Sequence, residues 1–150
     1  MKIMKMKTTI FTLVVEGLLI LSGQVVFAQE TKVKITSLRS EKGKIILNVY
    51  NSSEAYEEDT PSKIFAFPKD KITSGTKTVN INLKAGTYGI ALLDDENGNG
   101  KMDKNFIKMP KEGFGFSNFY MEKLKKPSFE DFKFRLVPGE SKIEIKAKYL

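Results

Sequence analysis

Short apolar runs alternating with polar residues at a period of two are the strongest constraint on this chain, because that period places one set of side chains on one face of a strand. Val33 and Ile35 alternate with Lys32, Lys34 and Thr36, and Ile45, Leu47 and Val49 follow the turn at Gly43-Lys44. Ile64 and Ala66 alternate with Phe65 and Phe67, which predicts a strand covered on both faces. Val79, Ile81 and Leu83 lead to the turn at Ala85-Gly86, and Tyr88, Ile90 and Leu92 follow it. Phe132, Phe134 and Leu136 form a sixth run before Pro138-Gly139, and Ile143, Ile145, Ala147 and Tyr149 form a seventh. No segment carries a long helical period. The pattern predicts an all-β fold, an antiparallel β-sandwich of about seven strands of immunoglobulin or transthyretin type.

Two stretches fall outside this pattern. Asn51–Pro61, with Glu54, Glu57, Glu58 and Asp59, reads as a solvated acidic loop. Asp94–Asp131 has no strand period and is long for a loop inside a compact domain. Its Phe106, Phe114, Phe116, Phe119, Tyr120 and Phe129 argue for an ordered loop, since disordered segments are poor in aromatics. Helical turns are expected at Asn118–Leu124 and at Ser128–Phe132, where Ser128 and Asp131 fit a capping box.

Residues 1–28 read as an export signal. Lys2, Lys5 and Lys7 precede the apolar stretches Ile10–Val15 and Leu18–Leu21, and Val26-Phe27-Ala28 suits cleavage after Ala28. An uncleaved anchor is disfavoured, because Glu16 interrupts a stretch already short of the roughly 20 apolar residues of a membrane span. The expectation is a single domain over residues 29–150, with no transmembrane span after processing, periplasmic or secreted. Cleavage removes three lysines and Glu16, so the net charge falls from +7 to +5. Only Arg39 and Arg135 are arginines and the lysines are scattered, so no nucleic-acid partner is expected.

The chain has no histidine and no cysteine. That removes imidazole-based triads, thiolate nucleophiles, disulfides and zinc ribbons. Chemistry would have to come from carboxylates, Lys, Tyr or a hard metal. The sequence Asp95-Glu96-Asn97-Gly98-Asn99-Gly100-Lys101-Met102-Asp103 places side-chain oxygens at positions 1, 3, 5 and 9 of an EF-hand-like loop, with Gly at 6. Asp95, Asn97, Asn99 and Asp103 would offer side-chain oxygens and Lys101 its carbonyl, predicting a weak structural Ca2+ site. Position 12 is Phe106, so the usual bidentate Glu is absent, and a further ligand is sought among Asp94, Glu112, Glu130 and Asp131. The competing reading is an Asn-Gly turn that binds nothing.

Four blocks in order resemble one family. Gly86–Ala91, Asp94–Asp103, Pro110–Asn118 and Pro127–Asp131 look like the signature of a bacterial exported family catalogued as domain of unknown function 2141. The resemblance implies a small exported protein without an established activity and, through its loop, a likeness to transthyretin-type folds and adhesin calcium turns. Family members often carry His or another residue where this chain has Asp94, so Asp94 is left out of the ligand set. Transthyretin-like hydrolases depend on histidines, and that activity is not carried over.

The expected function is a non-enzymatic exported module with a binding or structural role in the envelope or outside the cell, partnered by an envelope protein or glycan. The alternative is a carbohydrate- or peptide-binding module using Phe114, Phe116, Asn118 and Tyr120. A small carboxylate-based hydrolase using Glu112, Glu130 and Asp131 ranks behind both. Mass spectrometry of the exported protein is expected to find its N-terminus at Gln29. Retention of residues 1–28 in a membrane fraction would contradict the export signal.

Overall fold

The structure, a computed structural model, describes residues 27–139 and 142–150, so the export signal expected over residues 1–28 lies almost wholly outside the described residues. Two sheets pack face to face. In the first, β1 (Gln29–Thr36) lies between β4 (Lys77–Leu83) and β8 (Lys142–Lys146). β4 runs antiparallel to β1 with Val33 opposite Val79, whereas β8 runs parallel to it with Val33 opposite Ile143. The period-two pattern holds here, with Thr31, Val33 and Ile35 buried and the lysines between them exposed.

The second sheet runs β3 (Lys63–Pro68), β2 (Lys44–Tyr50), β5 (Gly86–Asp95) and β6 (Gly113–Phe116), and β7 (Phe134–Leu136) also pairs with β5. Between the sheets, Val33, Ile35, Ile45, Leu47, Val49, Ile81, Leu83, Ile90, Leu92, Ile143 and Ile145 form the main core. Among the described residues there are eight strands where about seven were expected, with one parallel pair, β1 and β8.

The central strands of the second sheet are covered on both faces. A second cluster of Tyr50, Tyr56, Phe129 and Phe132, with Ala91, Phe116 and Phe119 beside it, forms a smaller satellite to the main core. It is built by two short helices, α1 (Ser53–Glu57) and α2 (Phe129–Phe132). Gly89 makes this possible, because a Cβ there would meet Phe132 at 2.5 Å and Phe129 at 2.9 Å.

Several sequence expectations are corrected by this cluster. Asn51–Pro61 is not simply a solvated loop. Ser52 caps α1 by accepting from the Ala55 amide at 3.2 Å, and Tyr56 is buried edge-on to Tyr50 and Phe132. Phe132 belongs to α2 rather than to a strand, and only Phe134–Leu136 continue as β7. The expected capping box at Ser128 and Asp131 is present. Asn118–Leu124 is not helical, and the long loop contains the four-residue strand β6. β3 is an edge strand with Phe65 and Phe67 turned to the core, and Ile64 is 62% exposed rather than covered.

Candidate functional site

Successive strand residues point to opposite faces, and at the end of β5 this separates two neighbouring aspartates. Asp94 continues the inward series of Ile90 and Leu92, while Asp95 takes the opposite side. Both are fully buried.

Asp94 closes one end of the main core. Its Oδ1 lies 2.6 Å from Lys69 Nζ, and both side chains are completely shielded from solvent. Tyr149 Oη donates to Asp94 Oδ2 at 2.5 Å. Lys69 Nζ also reaches Ser40 Oγ at 3.4 Å, and Ser40 donates to Glu96 Oε1 at 2.7 Å. Arg39 grips Glu96 with Nε at 3.1 and 3.2 Å and with Nη2 at 2.5 Å, and its guanidinium lies 4.3 Å from the Tyr149 ring centre. Gly113 leaves room for this arrangement, since a Cβ there would collide with the Tyr149 ring. The network links the segment after β1, the end of β3, the end of β5 and the C-terminal residues.

These charges perturb one another. Arg39, by its hydrogen bonds, holds the Glu96 carboxyl down at about 2, against the opposing effect of partial burial. Burial raises the Tyr149 hydroxyl, and its hydrogen bond to Asp94 adds to that rise.

Asp95 belongs to the loop instead. Its Oδ2 accepts from the Gly100 amide at 2.8 Å and lies 3.7 Å from Lys44 Nζ. Its Oδ1 is buried and has no hydrogen-bond partner. Gly98 and Gly100 turn the chain at φ of +77° and +80°. Asn97 Oδ1 accepts from the Asn99 amide at 3.0 Å, and Asn99 Oδ1 accepts from the Lys101 amide at 2.8 Å. Both asparagine amides also donate to Asp103, Asn97 at 2.5 Å and Asn99 at 3.2 Å. The structure thus gathers Asp95, Asn97, Asn99 and Asp103 around one turn, with Lys101 contributing backbone.

Glu112 joins this group. It is 4% exposed, and its two oxygens accept from the Glu96 and Asp103 amides, each at 3.1 Å. Of the four further candidates, only Glu112 spans the loop ends. Asp94 is taken by Lys69 and Tyr149, Glu130 pairs with Lys133, and Asp131 caps α2. Among the described residues no three carboxylates form a ready-made metal cluster. The donor set is mixed, part carboxylate and part amide.

The aromatic candidates do not converge on one groove. Phe114 is buried, and Phe116 packs on Phe132 with ring centres 5.0 Å apart. Asn118 ties the loop to β8 by donating its amide to Glu144 O and accepting from the Glu144 amide. Tyr120 is 44% exposed and lies beneath Lys146 Nζ. With Phe119 it lines an open depression of about 750 Å³ beside Lys125, Lys126 and Asp131.

The class defined here is a two-sheet β-sandwich with a buried ion-pair network at one end and an oxygen-lined loop beside it. A family model described as "Uncharacterized protein conserved in bacteria (DUF2141)" matches residues 33–144, and the chain belongs to that family. No curated protein and no solved structure matches it. The Lys69–Asp94–Tyr149 network was missed in the sequence, because Lys69 looks like one of many surface lysines. The only available signal was Asp94 falling in register with Ile90 and Leu92.

Lys69→Met strands a buried carboxylate and is expected to cost about 3–5 kcal/mol in urea unfolding, whereas Lys69→Met with Asp94→Leu should recover most of it. Glu96 gives a pH test. Its folded carboxyl stays ionised down to about 2, while the unfolded one protonates near the ordinary value of 4.5. The Arg39–Glu96 contribution is therefore complete above the ordinary value and is lost as pH falls toward about 2. Arg39→Gln should flatten the stability profile across that window, as read by melting temperature against pH.

Proposed function

We propose that this chain is an exported, non-enzymatic β-sandwich module whose long loop is organised by a calcium ion. The ligands would be Asp95, Asn97, Asn99 and Asp103, the Lys101 carbonyl, and Glu112 in place of the absent position-12 residue. The observation that carries the reading is the buried Asp95 Oδ1 with no hydrogen-bond partner. A carboxylate oxygen taken out of water and left unpaired is costly, and a cation in the loop removes that cost.

Two further features support the reading. The Gly100 amide bound to Asp95 and the two asparagine side chains bound to the next alternate amides preset the turn. The Asn97 and Asn99 Oδ1 atoms, each accepting one backbone amide, keep a second lone pair for a cation, and the Asp103 carboxylate that now accepts from both side-chain amides would turn to it. Calcium suits such a set, because it accepts six to eight oxygens in flexible geometry, whereas magnesium demands a stricter octahedron. Export directed by residues 1–28 would put the module where millimolar-range affinity is useful, since extracellular modules bind calcium at about 10⁻⁴–10⁻³ M. The role is structural or binding, within the envelope or outside it.

Melting curves in calcium and in chelator test the site. A tenfold excess of calcium over Kd should add about 1.4 kcal/mol to the folded state. That corresponds to a rise of roughly 4–8 °C for a domain of this size. Asp95→Asn, which keeps an acceptor for the Gly100 amide, and Glu112→Gln should each remove most of the shift, and magnesium should give a smaller one. Identical melting in calcium and chelator would leave the loop as a turn only.

A further inference from the structure

Between the oxygen-lined loop and Glu112 the chain makes a second excursion, Lys104-Asn105-Phe106-Ile107-Lys108-Met109-Pro110-Lys111. Its base is closed by a β-bridge between Lys104 and Pro110. Asn105 organises the tip. Its Oδ1 accepts from the amides of Ile107 at 3.0 Å and Met109 at 2.9 Å, and its own amide donates to Met109 O at 2.9 Å. Lys108 turns the chain at φ +63° and donates its amide to Asn105 O. The tip is held by its own hydrogen bonds and presents its apex outward.

That apex is apolar. Phe106 is 96% exposed and Ile107 62% exposed. Scattered exposed apolar residues are ordinary, but here two neighbours share the apex of a fixed turn. Around them Lys104, Lys108 and Lys111 are exposed, and the excursion contains no acidic residue. None of the three makes an ion pair among the described residues. The nearest carboxylates in sequence, Asp103 and Glu112, are engaged by the loop.

We propose that this tip docks on an anionic phospholipid bilayer, with Phe106 and Ile107 entering the boundary between headgroups and acyl chains and the three lysines facing lipid phosphates. A convex apex of two side chains supplies little of the roughly 800 Å² per partner that an ordinary protein interface needs. A fluid bilayer asks for no matching pocket. Apolar burial at the headgroup boundary and lysine attraction to anionic lipid then act together. The inference is independent of the calcium reading, because the tip is closed without the loop's oxygens.

Vesicle sedimentation in chelator tests it, using the chain from Gln29 onward. That chain contains every strand and helix described above and excludes the apolar stretches of residues 10–21. Wild-type protein should pellet with phosphatidylcholine vesicles containing phosphatidylglycerol and release at high salt, with at least about tenfold weaker binding to phosphatidylcholine alone. Phe106→Ser with Ile107→Ser should weaken binding by about tenfold or more at an unchanged melting temperature, since both side chains are exposed. Replacing Lys104, Lys108 and Lys111 by Gln should cost roughly fivefold per lysine. Failure of the wild type to pellet with anionic vesicles, or pelleting unaffected by the serine pair, overturns the proposal. Specific crosslinking of a protein to a photoreactive residue at position 106, without vesicle binding, overturns it in favour of a protein partner.

Discussion

The ion pair of Lys69 and Asp94 is the constraint around which one end of this molecule is arranged. Two opposite charges have been taken completely out of water, which is tolerable only when each is held close to the other and to further polar groups. Tyr149 supplies a hydroxyl to Asp94, Ser40 lies within reach of Lys69, and Arg39 covers the Tyr149 ring while gripping Glu96. Segments distant in sequence must therefore be in place together. A buried charge has few acceptable partners, and losing one leaves the other unpaired away from water.

The oxygen-lined loop depends on that arrangement for its position. β5 delivers Asp94 to the interior and Asp95 to the loop by simple alternation, so the depth of one fixes the direction of the other. Glu96, the next residue, is fixed from outside by Arg39 and Ser40, and its amide donates to Glu112. Three consecutive acidic residues thus serve three different surroundings. The start of the loop is rigid before any ligand is considered, and Glu112, just ahead of β6, ties its two ends.

How much of this was legible in the sequence follows from which interactions are local. The strands of the first sheet alternate cleanly because one face meets the core and the other meets water, and they were readable as such. β6 was not, because Gly-Phe-Gly-Phe carries a pattern whose inward positions are glycines, chosen to admit Tyr149 and Ile145 rather than to fill space. α1 was missed because its buried residue is a single tyrosine among acids, and α2 was located by its cap rather than by its apolar face. The oxygen spacing of the loop was readable because it is contained within nine residues. The partners of Lys69 were not, since they are contributed by residues far along the chain.

The parallel pairing of β1 with β8 has a consequence for the order in which the fold can be completed. β1 is the first of the described strands and the middle of its sheet, yet one of its edges is satisfied only by β8, the last of them. A chain emerging from the ribosome N-terminus first must keep that edge unpaired until β8 has appeared. Closing so long a loop is entropically slow, and contacts of this separation form late in folding. Until then that edge of β1 holds a row of free amides and carbonyls, the kind of edge that pairs with another chain if left open. The first sheet is thus completed only once β8 is available, whereas the β1–β4 pair and the second sheet do not wait for it.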